Sequence, residues 1–434
     1  MEGTPVEQAM VVVELARGGR FEEIRDRFPP AILPLVNIEA LRTAWSAAIE
    51  SIGGIAAVGT AVSEDAPGGS VVRVPIQGDR GSLTIAIGLT ATGQLTGLQL
   101  LPADAADPAP PWTPPAYADP STFDEEEITV GPDAFSVPGT LSVPRRPGSL
   151  LAVVLLAGSG PLDRDETVGP NKPFRDLAWG LATRGIVVLR FDKVTYARRA
   201  EILAKADFTL NDEYLPQAIG AIELLRGHPA VDRDRIVLAG HSLGGTVAPR
   251  VAGAAPDVAG LVILGGGAAP LHWVIVRQLR YIAALDPATE SAAQHGIDAL
   301  ARAAERVDSP DLSPETPAAE LPLGTPAPYW LDLRAYDAPG AAAALGKPIL
   351  LLQGGRDYQS SMDDDLPRWE AALDGRPDVT IRVIPDANHF FFSGSGPSTP
   401  QEALTPDQHL DATVIDAIVA WVESLTLRAS NPII

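Results

Sequence analysis

The chain has 434 residues, no cysteine and a net charge of −22. The absence of cysteine excludes disulfides, thiolate zinc sites and a cysteine nucleophile, and so acidic a chain is a poor partner for nucleic acid, whose phosphates need clustered positive charge. A hydrophobic content of 46% with 20% charged residues describes a globular protein too long for one small core, so two domains are expected.

The first residues, MEGTPVEQAMVVVELARGG, lack the basic start of a signal peptide. Nor is there a run of about 18 apolar residues that could span a bilayer. The expected location is cytoplasmic, or outside the cell if a leader has been removed. Apolar spacing at Val6, Met10, Val13 and Leu15 predicts an amphipathic helix. FEEIRDRF and NIEALRTAWSAAIESIG predict two more, the last with Asn37 as N-cap. Four β-rich runs follow (GIAAVGTAVSE, SVVRVPIQG, SLTIAIGLT and QLTGLQLL), separated by Gly, Asp and Ser turns. Helices followed by an antiparallel meander predict a small α+β domain over residues 1–105. Positions 102–120 then carry seven prolines in nineteen residues, which favours an extended linker, placed at 106–122. The acidic run DEEE at 124–127 reads as a solvated strand entrance and not as a metal site.

From 123 to 434 strand and helix alternate. SLLAVVLLAG, GIVVLRF, DRIVLAG, AGLVILGG, KPILLLQGG and VTIRVIPDA are short apolar runs expected of buried parallel strands, with helical segments between them. This predicts an α/β domain with a mostly parallel sheet and helices on both faces, ligands binding beyond the carboxyl ends of its strands. One interval, from Gly267 to about Leu345, is too long: roughly 80 residues, where a crossover needs about a dozen. Its helical spacing predicts a cap inserted at about 267–345. The cap aromatics Trp273, Tyr281, Tyr329, Trp330 and Tyr336 suit either packing or a pocket wall.

The stretch AGHSLGG places Ser242 between a strand and a helix, with Gly240 two before it and Gly244 two after. This is the G-x-S-x-G nucleophile elbow, whose turn is too sharp for side chains at the glycine positions. A serine nucleophile needs a base. Of the six histidines, His389 follows the last predicted strand, where a loop can reach back over the elbow. His241 is expected to pack, His228 ends a helix, His272 and His295 lie in the cap, and His409 opens the final helix. The acid that orients the base is expected to be Asp357, just beyond the strand in LLLQGGRDYQ. Asp386 is a rival by proximity, but a neighbour on an extended strand end points away. Asp363, Asp364 and Asp365 suit a helix start. Oxyanion donors are expected from the N–H of Leu243 and from the GSGP turn at 158–161, through Ser159 with Gly160 as the alternative. Neither a metal nor a cofactor is called for.

With these residues in place, the chain resembles the two-domain bacterial serine esterases of the α/β-hydrolase superfamily. The resemblance rests on GSGPLDRDETVGPNKPFRDLAWGLATRGIVVLRFDK (158–193), the most specific motif, and on GHSLGG, LQGGRDYQ and NHFF. It implies carboxylester hydrolysis with a preference for short or medium acyl chains, on a small-molecule substrate. In one departure, the relatives usually carry a histidine before the Gly-Ser-Gly-Pro turn, thought to brace that loop, and here the residue is Ala157. An acyltransferase or thioesterase would use the same three residues. A non-catalytic binding protein on a hydrolase scaffold would be expected to have lost one of them.

Overall fold

A computed structural model of the chain describes residues 3–29, 33, 36, 38–66, 69–102, 111–203, 205–285 and 287–430. Asn37 and positions 103–110, which include the first part of the expected linker, lie outside the described residues. The chain divides into two compact units, one of Met1–Pro110 with Leu279–Ala327 and the other of Pro111–Gln278 with Pro328–Ile434.

In the first unit, helix Pro5–Arg17 starts at a capping box in which Thr4 and Glu7 satisfy each other's backbone N–H groups. Strands β1 (Ala57–Val58), β2 (Val62–Ala66), β3 (Gly69–Gln77), β4 (Ser82–Thr90) and β5 (Leu95–Pro102) form an antiparallel sheet in which β3 and β4 are central. β3 alternates buried and half-buried residues as a one-sided sheet requires. Its inward Val72, Val74 and Ile76 join Ile85, Ile87 and the helical Ala9, Val12 and Val13 in one core. The helix Pro287–Asp308, expected as part of the cap, belongs to this unit and meets helix Ile38–Ser51 there.

The second unit is built on an eight-stranded sheet. Its strands are β6 (Phe123–Val130), β7 (Val137–Pro144), β8 (Leu150–Leu156), β9 (Val187–Phe191), β10 (Val231–His241), β11 (Gly260–Leu264), β12 (Ile349–Gly354) and β13 (Val379–Ile384), in the spatial order 13-12-11-10-8-9-7-6. From β13 to β9 every pairing is parallel. β7 and β6 then extend the edge antiparallel. Neither is among the six expected buried strands, although the acidic run is expected to enter a strand at the place where β6 lies. The acidic run 124–127 lies inside β6, where Asp124, Glu125 and Glu127 meet Arg145, Arg190 and Arg164. β8 is buried on both faces, sending Ala152, Val154 and Leu156 into one core and Leu151, Val153 and Leu155 into the other. β13 is only partly buried because it is the opposite edge.

Past residue 110 the proline-rich stretch runs along this unit. Trp112 Nε1 donates to Asp176 Oδ1 at 2.8 Å, and the Tyr117 hydroxyl donates to the Leu410 carbonyl at 2.7 Å. Between β11 and β12 the chain forms helices Leu271–Ala284, Pro287–Asp308, Ala327–Arg334 and Ala338–Leu345, so the long interval is a helical insertion. No helix among the described residues is long and apolar enough to cross a membrane.

Candidate active site

Strand order changes direction between β8 and β10, whose carboxyl ends lie side by side, with Leu156 paired to Gly240. That is the switch point at which an open α/β sheet forms a crevice. β10 ends at His241, and helix Leu243–Ala254 begins two residues later, so Ser242 alone makes the turn. Its backbone is held at φ 51°, ψ −122°, a conformation unfavourable for any residue with a Cβ. The strain is fixed by neighbours: Ser242 N–H donates to Leu264 O at 2.9 Å, and Thr246 N–H donates to Ser242 O at 3.0 Å. The flanking glycines are required by close approach. A Cβ on Gly240 would sit 2.2 Å from Gly244 O, and one on Gly244 would sit 2.1 Å from Leu156 O.

Asp357 follows β12 and is buried. Its Oδ1 accepts the N–H groups of Gln359 and Ser360 at 2.8 and 2.9 Å. Its Oδ2 lies 2.8 Å from His389 Nδ1 and 3.2 Å from Gln353 Nε2. One carboxylate oxygen is thus anchored and the other faces the imidazole of the buried His389. With Nδ1–H donating to the carboxylate, Nε2 keeps a lone pair. The rival Asp386 is exposed, and its carboxylate joins no hydrogen bond among the described residues. Asp365 opens helix Asp365–Leu373, as expected of the 363–365 run, and also accepts the N–H groups of Ala268 and Ala269, both at 2.8 Å.

The loop after β8 leaves Ser159 and Gly160 exposed and Gly158 buried against the elbow, where a Cβ on Gly158 would come within 3.1 Å of Ser242 Cβ. Ala157 has only a methyl group, which cannot hydrogen-bond to this loop, and buried residues elsewhere hold it. Glu166 Oε1 accepts Gly158 N–H at 2.7 Å, while Lys193 Nζ donates to Gly158 O at 2.6 Å. The N–H groups of Ser159 and Leu243 donate to nothing among the described residues.

His241 packs as expected, buried against the rings of Phe174, Phe390 and Phe391. It also makes polar contacts that its position did not announce: Nδ1 lies 3.0 Å from Glu166 Oε2, and Nε2 lies 2.9 Å from the carbonyl of His389. Burial by itself would lower its pKa, but the Glu166 carboxylate and the His389 carbonyl outweigh burial and raise it. Glu166 is therefore a shared support, touching the loop after β8 with one oxygen and the His241 ring with the other. His409 precedes the final helix, Ala412–Ser430, instead of opening it, and pairs with Asp176 at 3.1 Å. Glu166, Lys193 and Tyr214 escaped the sequence reading. The first two lie inside the long motif at 158–193, but nothing in a linear motif states which group each one meets.

The model of the family described as the alpha/beta hydrolase family matches residues 153–406. The chain belongs to the α/β-hydrolase family. It is 35% identical over 344 residues to esterase EstD of Thermotoga maritima, covering 79% of this chain and 77% of that one. Among solved structures, this hydrolase is similar to Est1E from Butyrivibrio proteoclasticus at 15% identity and a TM-score of 0.43, over 70% of this chain and 99% of that one. It is also similar to a dienelactone hydrolase from Anabaena variabilis, at 18% identity and a TM-score of 0.41, over 70% and 98% of the two chains.

Proposed function

We propose that this α/β-hydrolase is a carboxylesterase that cleaves short- to medium-chain acyl esters through Ser242, His389 and Asp357, with an acyl-enzyme intermediate. The observation that carries the reading is the buried 2.8 Å contact of Asp357 Oδ2 with His389 Nδ1 in the same unit as a serine held at φ 51° on a strand-to-helix turn. In this reading Ser242 Oγ attacks the ester carbonyl while His389 Nε2 takes its proton. The charge on the carbonyl oxygen is met by the N–H groups of Leu243 and Ser159, or of Gly160. Each such donor is worth about 2.7–4 kcal/mol in the transition state. His389 then returns the proton to the leaving alcohol. Water activated by the same nitrogen releases the acid. Asp357 fixes the tautomer and stabilises the imidazolium, and its anchored Oδ1 prevents the carboxylate from swinging away.

The expected substrate is a small-molecule ester, and the chemistry needs no cofactor. A series of p-nitrophenyl esters of increasing acyl length, run beside acyl-CoA and beside an acceptor alcohol, tests the reading. Hydrolysis of the short esters with a falling rate for long chains supports it. Turnover confined to acyl-CoA, or to transfer onto the alcohol, would replace it with a thioesterase or an acyltransferase.

A further inference from the structure

We propose that Lys193 and Tyr214 are positioning residues that set the strength of the oxyanion hole through a single peptide group. The inference rests on the assignment of Ser159 N–H as an oxyanion donor. Gly158 C=O and Ser159 N–H are the two ends of one planar, conjugated peptide. Lys193 Nζ donates to that carbonyl at 2.6 Å, and the Tyr214 hydroxyl stands 3.0 Å from it and 2.9 Å from the Ala157 carbonyl. The preceding peptide is held as well, by Tyr214 on Ala157 C=O and by Glu166 on Gly158 N–H at 2.7 Å. Of the four polar groups in the two peptides, buried side chains engage three. The fourth, Ser159 N–H, is left with no partner among the described residues, and Ser159 is exposed.

A purely structural role would not require this arrangement. Lys193 and Glu213 are both buried and pair at 2.8 Å, and the Tyr329 hydroxyl donates to the same carboxylate. A buried ion pair of this kind adds little net stability against an apolar replacement. The ammonium nevertheless reaches past Glu213 to the Gly158 carbonyl and to the Tyr214 hydroxyl at 3.0 Å. Burial and the carboxylates of Glu213 and Glu166 hold the Tyr214 phenol well above its ordinary pKa, so it remains a donor. A cation on a carbonyl draws electron density toward the oxygen and makes the N–H at the other end a stronger donor. Linked hydrogen bonds in a site of low dielectric reinforce one another. The same clamp fixes the plane of the peptide, so that the N–H is aimed before the substrate arrives. Stabilisation of this kind acts on charge that develops in the transition state, so it should appear in kcat and leave KM alone.

The experiment uses the full chain and the variants Lys193→Met, Tyr214→Phe and the charge-neutral pair Lys193→Met with Glu213→Gln. For each, kcat and KM on p-nitrophenyl butyrate are measured, with inhibition by a trifluoromethyl ketone, whose adduct carries the oxyanion, and by butyramide, whose carbonyl is neutral. Lys193→Met should lower kcat about 10- to 100-fold, and Tyr214→Phe roughly 3- to 10-fold, both with KM nearly unchanged. Affinity for the ketone should fall in proportion to kcat/KM, and affinity for butyramide should hold. If Lys193→Met does not fold, Tyr214→Phe and the neutral pair decide the matter by the same criteria. Folded variants with unchanged kcat, or with KM and butyramide affinity lost together, would overturn the inference. The parent reading fails separately, and takes this inference with it, if the wild type is not labelled at Ser242 by a fluorophosphonate.

Discussion

Replacing Asp357 by Asn changes one atom and should nearly abolish turnover, for a reason visible in the hydrogen bonds. The anchored oxygen accepts two backbone N–H groups, from Gln359 and Ser360, and an amide nitrogen cannot take that place. The Asn oxygen must therefore occupy it, which turns the NH₂ toward His389 Nδ1 at 2.8 Å and toward Gln353 Nε2 at 3.2 Å. Nδ1 can meet an N–H only as an acceptor, so the ring proton moves to Nε2 and the lone pair that should receive the Ser242 proton is lost. A wrong tautomer in a triad costs about 10⁴-fold in kcat. Asp386→Asn should stay within about twofold of wild type, because that carboxylate is exposed and joins no hydrogen bond among the described residues. The assay is the initial rate of p-nitrophenyl butyrate hydrolysis under saturating substrate, with folding checked by circular dichroism. Retention of more than about a tenth of the activity by Asp357→Asn, or a larger loss from Asp386→Asn, would refute the assignment.

Three further outcomes follow from the geometry. Gly244→Ala puts a methyl group 2.1 Å from Leu156 O, so the elbow must open: expression of folded protein should fall sharply and any soluble fraction should be inactive, whereas normal melting and activity would contradict the close approach. Ser242→Gly removes the nucleophile and also relieves the backbone held at φ 51°, so a thermal melt should show an inactive protein stabilised by about 1 kcal/mol, and a lower midpoint would show that the turn is unstrained. His241 has a raised pKa in the folded chain, where it faces Glu166, Asp357 and His389, so its pairing stabilises fully below the ordinary value of 6.5 and is lost as pH climbs through the raised one. Glu166→Gln should flatten denaturant stability against pH in that window, and a curve of unchanged shape would remove Glu166 as the partner.

The sequence made some of these features legible and hid others, for physical reasons. Six strands were readable as short apolar runs, most plainly β8 and β11, which carry no polar side chain because both of their faces are buried. β6 was legible only as a solvated strand entrance, since an edge strand tolerates DEEE as long as its carboxylates find arginines on neighbouring segments. Ser242, Asp357 and His389 could be named because the elbow glycines and the strand-end positions are local demands. Glu166 with His241, and Lys193 with Gly158, are meetings between residues that stand far apart in the chain, and a single sequence carries no record of them. Helical spacing over 267–345 was readable, and in helix Pro287–Asp308 it puts Ile297, Leu300, Ala304 and Val307 on one face, all four buried. A stripe does not name the unit it joins, and here Leu279–Ala327 groups with the N-terminal residues.

The most direct test of the central claim is covalent labelling of Ser242. Wild-type protein treated with a fluorophosphonate should carry one adduct, mapped by peptide mass spectrometry to the segment containing Ser242, and should lose esterase activity in step with labelling. Ser242→Ala should take up no label, and its kcat should be lower by about 10⁴-fold or more, since oxyanion donors and binding alone sustain only residual catalysis. An adduct on another residue, or turnover by Ser242→Ala within about tenfold of wild type, would contradict the account.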